Sequence, residues 1–519
     1  MDYQTTLEHL YRLERFGIKL GLDNIRRLLS LLGDPQRGLK VLHVTGTNGK
    51  GSVCAYAASV LRAAGYRVGL YTSPHLVRFN ERIRVDGEPI TDDDVLRLWS
   101  GMQPAIQRMT STRAIDHPTF FEVTTAMAFE YFRERKVDLA VIEVGMGGRM
   151  DATNVVDGLV SVITRVDLEH TEHLGKTVER IAREKAGIIK PTSRVVAVDQ
   201  EALPVIEARC RELHVPLSVL GRDVHAERMA GDLRGQIVRV RGAFGSVEVQ
   251  TPLLGSFQVE NLGIAVAAVE EIRSTGLTIP DQAIRSGIAS VRWPARMEII
   301  RTSPLVVVDG AHNRPAAEAL GASMAETFPG RKALLVTGIL NDKDLPGMAA
   351  ALGPMARRVF ACRPKTHRAY DAEDVAAAFR PYAESSVVAA VRDAIDVALG
   401  AAGPDDLILI TGSIYTAGEA LDHLGVRRGK FRRGIVFREE LLRSDFGHFV
   451  AGPLGQNRRD QDFERILRFC DDFREGRLAR VQIPLRQVPA GKIAHDERDP
   501  VTGGRRDGQG PPPRCRSSP

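Results

Sequence analysis

The run Val41-Leu42-His43-Val44-Thr45-Gly46-Thr47-Asn48-Gly49-Lys50-Gly51-Ser52 has the residue types of a phosphate cradle. Its glycines let backbone N–H groups converge on an anion, while Lys50 brings a fixed charge and Ser52 a hydroxyl suited to Mg²⁺. A short apolar strand leads into the turn, and the Ala-rich pattern from Val53 to Ala64 predicts a helix whose positive end adds to the attraction. The spacing departs from the standard P-loop, because two residues rather than four separate Gly46 from Gly49 and Gly51 intervenes before the serine. A tight turn without a ligand is the alternative. The strand before and the helix after favour nucleotide phosphate.

Further candidates lie at the carboxyl ends of predicted strands, the edge where open parallel sheets collect their ligands. Thr72-Ser73-Pro74-His75-Leu76 follows a strand over Tyr66–Tyr71. Glu143 sits inside the apolar run Leu139–Val144, and a buried carboxylate is costly unless it meets a metal or a cation such as Arg149. His170 follows the strand Leu159–Val166, so Ser73, Glu143 and His170 form a candidate Mg²⁺ set, although Mg²⁺ usually prefers oxygen. Asn261 stays open between a helix cap, a buried amide and a nucleotide contact. Asp309-Gly310-Ala311-His312-Asn313 and Thr411-Gly412-Ser413 end two later strands, with ordinary turn chemistry as their alternative.

The elements that must position these groups alternate strand and helix. Ile25, Leu28, Leu29 and Leu32 predict an amphipathic helix, Thr119-Phe120-Phe121-Glu122 opens another that runs to Arg133, and Val195–Val198 is a further strand. This predicts an α/β fold, a P-loop-containing doubly wound, mostly parallel sheet. Residues 217–249 look different and suggest a small antiparallel patch. Trp293-Pro294-Ala295-Arg296-Met297-Glu298 reads as the domain boundary, followed by strands at Leu305–Val308, Ala333–Leu340, Arg358–Ala361 and Leu407–Ile410 in a smaller Rossmann-like α/β domain. The expected domains are 1–293, 297–429 and a basic extension over 430–519, helix-like to about residue 480 and disordered from Gly503 to Pro519.

With 519 residues, 43% hydrophobic, the chain is long enough for more than one buried core. The net charge of +6 suits anionic metabolites, and the Arg-rich tail lacks the aromatic interleaving that nucleic acid would favour. Five scattered cysteines have no metal spacing and fit a reducing compartment. No apolar run approaches the ~20 residues of a membrane span, so a cytoplasmic protein is expected.

Taken together, the chain resembles the folylpolyglutamate synthase/dihydrofolate synthase family of Mur-ligase-type ATP-dependent amide ligases over about residues 7–425. The likeness rests on the phosphate loop, the Ser73-Pro74-His75 stretch, Glu143–Arg149, Glu184-Lys185-Ala186-Gly187-Ile188, Asp309–Asn313 and Asp342-Lys343-Asp344. It implies that Gly49, Lys50, Gly51, Ser52, Asn261, Arg296 and Asp309 contact ATP. It places Mg²⁺, two ions in all, on Ser73, Glu143, His170 and a carbamylated Lys185. Thr119, Phe120, Phe121, Glu122, Met150 and Asp151 match a pterin-side pocket, and His312 and Ser413 the glutamate side. Lys50, Lys185 and His312 are the expected catalytic groups.

The implied activity is a bifunctional dihydrofolate synthase/folylpolyglutamate synthase, a monomer whose partners are dihydropteroate or folate, L-glutamate and ATP. A UDP-muramoyl-peptide ligase and a non-ligating P-loop ATPase switch are the alternatives. Two departures stand out: Glu169 where the family commonly has Asp, and Arg314 before Pro315.

Overall fold

Strands β1 (Val41–Thr45), β2 (Val68–Tyr71), β3 (Ile83–Val85), β4 (Glu88–Pro89), β5 (Leu139–Glu143), β6 (Gly158–Ile163), β7 (Arg194–Val198) and β8 (Leu217–Leu220) build one sheet in a computed structural model of the chain. Their order is β4-β3-β2-β5-β1-β6-β7-β8. Pairing is parallel from β2 to β8, and β3 and β4 add an antiparallel edge. The residues described are 2–17, 19, 21–111 and 117–425, all within one compact unit. The helix-like stretch to residue 480 and the disorder expected at 503–519 lie outside them.

Strands β1, β2 and β5 are buried along their whole length, as a parallel sheet covered on both faces requires. Helices Lys50–Ala63, Ser256–Arg273 and Asp281–Ala289 cover one face. Helices Tyr3–Arg12, Asp23–Leu31, Asp92–Thr110 and Phe120–Glu134 cover the other.

The antiparallel patch is smaller than expected. Leu217–Leu220 pairs parallel with β7 in the main sheet, because Val219 and Leu220 have a core to enter there. The patch itself is β9 (His225–Asp232), β10 (Gly235–Gly242) and β11 (Gly245–Thr251), which buries Val238, Val240, Val247 and Val249.

A second sheet holds β12 (Glu298–Thr302), β13 (Leu305–Val308), β14 (Ala333–Thr337), β15 (Ala356–Arg363), β16 (Glu384–Ala390) and β17 (Leu407–Thr411) in the order β12-β13-β17-β14-β15-β16. Only β12 runs antiparallel to its neighbour. Helices cover both faces, so this lobe is also doubly wound.

Between the sheets the chain passes through Ala295 and Met297, whose φ angles are 54° and 49°. A left-handed residue other than glycine costs about 1–2 kcal/mol. Three hydrogen bonds hold the bend: Ala295 N–H to Glu298 Oε2 (2.8 Å), Met297 N–H to Asp309 Oδ2 (2.7 Å) and Gly310 N–H to the Ala295 carbonyl (2.9 Å). Leu76 and Val77 of the first lobe pack against the core of the second. Among the described residues no helix is long and apolar enough to cross a membrane.

Candidate active site

The phosphate loop leaves β1 between the carboxyl ends of β5 and β6, so groups from three strands meet there. Gly49 (φ +89°) starts the helix Lys50–Ala63, and an added Cβ would stand 2.3 Å from Asn261 Oδ1. Gly49→Ala is therefore expected to weaken nucleotide binding roughly ten-fold or more, through backbone strain and displacement of Asn261. Titration with a fluorescent ADP analogue measures it. Lys50 Nζ donates to the carbonyls of Gly46 (3.1 Å) and Thr47 (2.9 Å), which curls it over the loop. Gln258 donates to Ser52 Oγ at 3.3 Å and accepts from Asn261 Nδ2 at 3.1 Å.

A cavity of about 550 Å³ opens above this loop. Of the residues singled out in the sequence, Gly49, Lys50, Gly51, Ser52, Ser73, Glu143, His170, Asn261, Arg296, Asp309 and His312 all line it. One end is walled by Phe257, Ala316, Ala319 and Ala322, an apolar slot suited to an aromatic base. The sequence reading missed that wall, although the three-residue spacing of the alanines on helix Arg314–Thr327 was a usable signal.

Glu143 Oε2 accepts from the Ser73 N–H at 3.1 Å. Burial raises its pKa, with Lys50 opposing. Arg149 is not its partner: that guanidinium pairs with Glu184 at 2.8 Å. His170 has a left-handed backbone (φ 51°), and burial lowers its pKa to about 4, leaving a neutral imidazole suited to a metal. Among the described residues no three His, Cys, Asp or Glu side chains gather as a metal cage. One carboxylate, one imidazole and a serine beside a phosphate cradle still fit Mg²⁺, which is held through few protein ligands plus phosphate oxygens. Lys185 is buried beneath the loop rather than in the cavity wall, donating to the Gly46 carbonyl at 2.7 Å. Burial and the charge of Lys50 lower its pKa to about 7.

From the second lobe, Asp309 spends both oxygens on backbone, Oδ2 on Met297 N–H and Oδ1 on Ala311 N–H (2.7 Å each). It thereby fixes the bend that carries Arg296. Asn313 caps helix Arg314–Thr327 and exchanges reciprocal 3.1 Å hydrogen bonds with Asn48 of the phosphate loop. Ser413 caps the helix Ile414–His423, and its neighbour Ile414, not Ser413 itself, reaches the cavity.

The residues expected on the pterin side lie apart from the central cavity. Thr119 and Glu122 make a capping box, with Thr119 N–H donating to Glu122 Oε2 at 2.7 Å. Phe120 stacks on Tyr11 at 5.6 Å beneath the Arg82 guanidinium, and Phe121 lies against Gly145. Asp151 accepts from Met146 N–H (2.9 Å) and Thr153 Oγ1 (2.5 Å), and Met150 is half-buried beside it. None of these six lines the central cavity. Tyr11 and Arg82 were not legible as neighbours of Phe120, since only the tertiary fold brings them to it.

Family models for the Mur ligase middle domain and the Mur ligase glutamate ligase domain match residues 44–269 and 295–414. A probable bifunctional folylpolyglutamate synthase/dihydropteroate synthase of Halobacterium salinarum is 39% identical over 426 residues, 81% of this chain and 51% of the relative. The chain thus spans about half the length of such haloarchaeal relatives. The dihydrofolate synthase/folylpolyglutamate synthase of Bacillus subtilis is 36% identical, covering 80% of this chain and 97% of the relative. Folylpolyglutamate synthase of Mycobacterium tuberculosis, solved with ADP and AMPPCP, superposes with a TM-score of 0.75 at 35% identity over 82% of this chain and 99% of that one. Escherichia coli FolC, solved with DHPP and ADP, gives a TM-score of 0.73 at 32% identity over 82% of this chain and 98% of that one.

Proposed function

Because the chain belongs to the folylpolyglutamate synthase/dihydrofolate synthase family of Mur-type ligases, we propose that it joins L-glutamate to a pterin-bearing carboxylate by ATP-dependent amide formation. Dihydropteroate and a folate are both substrates in this reading, which makes the enzyme bifunctional. One observation carries it: the phosphate loop and the Asp309–Asn313 edge of the second lobe face a single cavity and are bonded to each other through Asn48 and Asn313.

A substrate carboxylate attacks the γ-phosphate of ATP, giving an acyl phosphate and ADP. The glutamate amine then displaces phosphate to form the amide. Both partners of the first step are anions, so Lys50 and the loop N–H groups serve by positioning and charge. Ser73, Glu143 and His170 are the residues that would hold Mg²⁺, which supplies further neutralising charge when bound. The second lobe, divided from the first at Trp293–Arg296, brings His312 to the glutamate side and shields the acyl phosphate from water. Thr119–Glu122, Met150 and Asp151 are assigned to the pterin and Ser413 to the glutamate side.

The lowered pKa of Lys185 supports its conversion to a carbamate, in which CO₂ adds to the neutral amine with loss of one proton and creates a carboxylate for a second Mg²⁺. Below pH 7 the ammonium predominates and cannot add CO₂; above it the amine is free. At equal dissolved CO₂, reactivation of CO₂-depleted enzyme is therefore expected to be faster at pH 8 than at pH 6. Lys185→Ala is expected to lose turnover and to regain part of it with added acetate or formate.

Phosphate release from Mg-ATP with dihydropteroate or tetrahydrofolate, each with and without L-glutamate, tests the activity. Release that requires glutamate with both pterins establishes the bifunctional ligase. Release indifferent to glutamate would leave an ATPase switch.

A further inference from the structure

Glu169, the residue that stands where the family commonly has Asp, is nearly buried, its side chain 9% exposed. Three groups converge on one oxygen of its carboxylate: Asn313 Nδ2 at 3.1 Å, His312 Nε2 at 3.5 Å and Lys343 Nζ at 3.5 Å. All three come from the second lobe, from loops at the carboxyl ends of β13 and β14. Among the described residues its carboxylate has no hydrogen-bond or ion-pair partner from its own lobe. Lys343 is as buried as Glu169 and has one other carboxylate nearby, the half-exposed Asp342 at 3.3 Å. The same Asn313 is bonded to Asn48 of the phosphate loop and caps helix Arg314–Thr327.

We propose that Glu169 is a positioning residue onto which the second lobe closes, setting through His312 and Lys343 the site that receives glutamate. The proposal rests on the ligase reading above for its substrate but not for its geometry. A surface ion pair would contribute little here. A buried carboxylate met by a lysine, an imidazole and an amide differs, because removing its charge leaves the buried Lys343 with only the more exposed Asp342 as counter-ion. Length matters as much as charge: aspartate, one C–C bond or about 1.5 Å shorter, cannot reach Lys343 and His312, which already stand 3.5 Å from Glu169. The competing role is to support His170 beside the phosphates, which would make Glu169 matter for the metal rather than for glutamate.

Initial rates of phosphate release by the full-length protein, with glutamate, ATP and Mg²⁺ varied separately, distinguish the two. Glu169→Gln is expected to raise the glutamate KM roughly ten-fold or more, leaving half-saturation by ATP and Mg²⁺ unchanged. Glu169→Asp should fall between Gln and the native residue. Lys343→Met should act in the same direction, and the double variant Glu169→Gln/Lys343→Met should be no worse than either single. Additive losses, or a loss seen only in the Mg²⁺ dependence, would overturn the proposal. Should the native protein prove indifferent to glutamate, the ligase reading fails, and the urea unfolding midpoints of the same four proteins decide the closure. Non-additive midpoints sustain it and additive ones reject it.

Discussion

Lys50→Ala is expected to lower glutamate-dependent ADP release by on the order of 10²- to 10³-fold, the scale of losing one preorganised charge at a developing anion. The proposed reaction forces a carboxylate against a triphosphate, and two unit charges about 4 Å apart interact by roughly 4 kcal/mol at an effective dielectric near 20. Lys50 is the cation that the loop itself carries to that encounter. In the structure its ammonium is parked on the carbonyls of Gly46 and Thr47, within reach of the cavity it lines. The fold does not depend on it. Thr47 N–H to the Arg165 carbonyl (2.7 Å), Thr164 Oγ1 to the Asn48 carbonyl (2.7 Å) and Asp167 N–H to Thr47 Oγ1 (3.0 Å) hold the loop independently. An unchanged melting temperature alongside lost turnover is the expected pair of results. Normal turnover would remove the assignment of this loop to ATP.

Glu143→Ala is expected to abolish turnover as well, and Glu143→Gln separates the reason. The glutamine keeps the volume and an oxygen to accept the Ser73 N–H, so the loop 72–77 stays supported. Alanine instead leaves that donor unsatisfied, at about 1–3 kcal/mol if it stays dry. Burial works against the ionised carboxylate, so the amide should melt no lower than the native protein. With charge lost and shape retained, turnover is expected to fall about 100-fold or more while the Mg²⁺ needed for half-maximal rate rises. ADP release measured over a Mg²⁺ series checks this. A Gln variant with a native Mg²⁺ dependence would return Glu143 to a purely structural role.

The chain order of its residues determined much of this protein. Apolar runs of strand length separated by helical periods predicted both doubly wound sheets, because burial on two faces leaves parallel strands almost no polar positions. The phosphate loop, the bend at Trp293–Met297 and the strand-end residues Ser73, Glu143, His170 and His312 were legible for the same reason. Each is a local exception, a glycine or polar group placed where the regular pattern stops. Residues 217–249 were misread in part because a short apolar strand has the same pattern in either sheet, and only the space beside β7 decides.

The pairings were not legible, since they join residues far apart in sequence. Arg149 meets Glu184 rather than Glu143, Asn48 meets Asn313 and Glu169 meets Lys343. A carboxylate in a sequence carries no sign of which cation will reach it. For Asn48 and Glu169 that choice is made when the two lobes dock and buried polar groups must find partners. Asp309 and Thr119, residue types equally at home in a turn or a ligand pocket, hold backbone of their own lobes. Residue types and their order determined the chemistry available to this chain. The tertiary structure decided which groups face each other across the cavity, because desolvation makes only fully paired arrangements affordable.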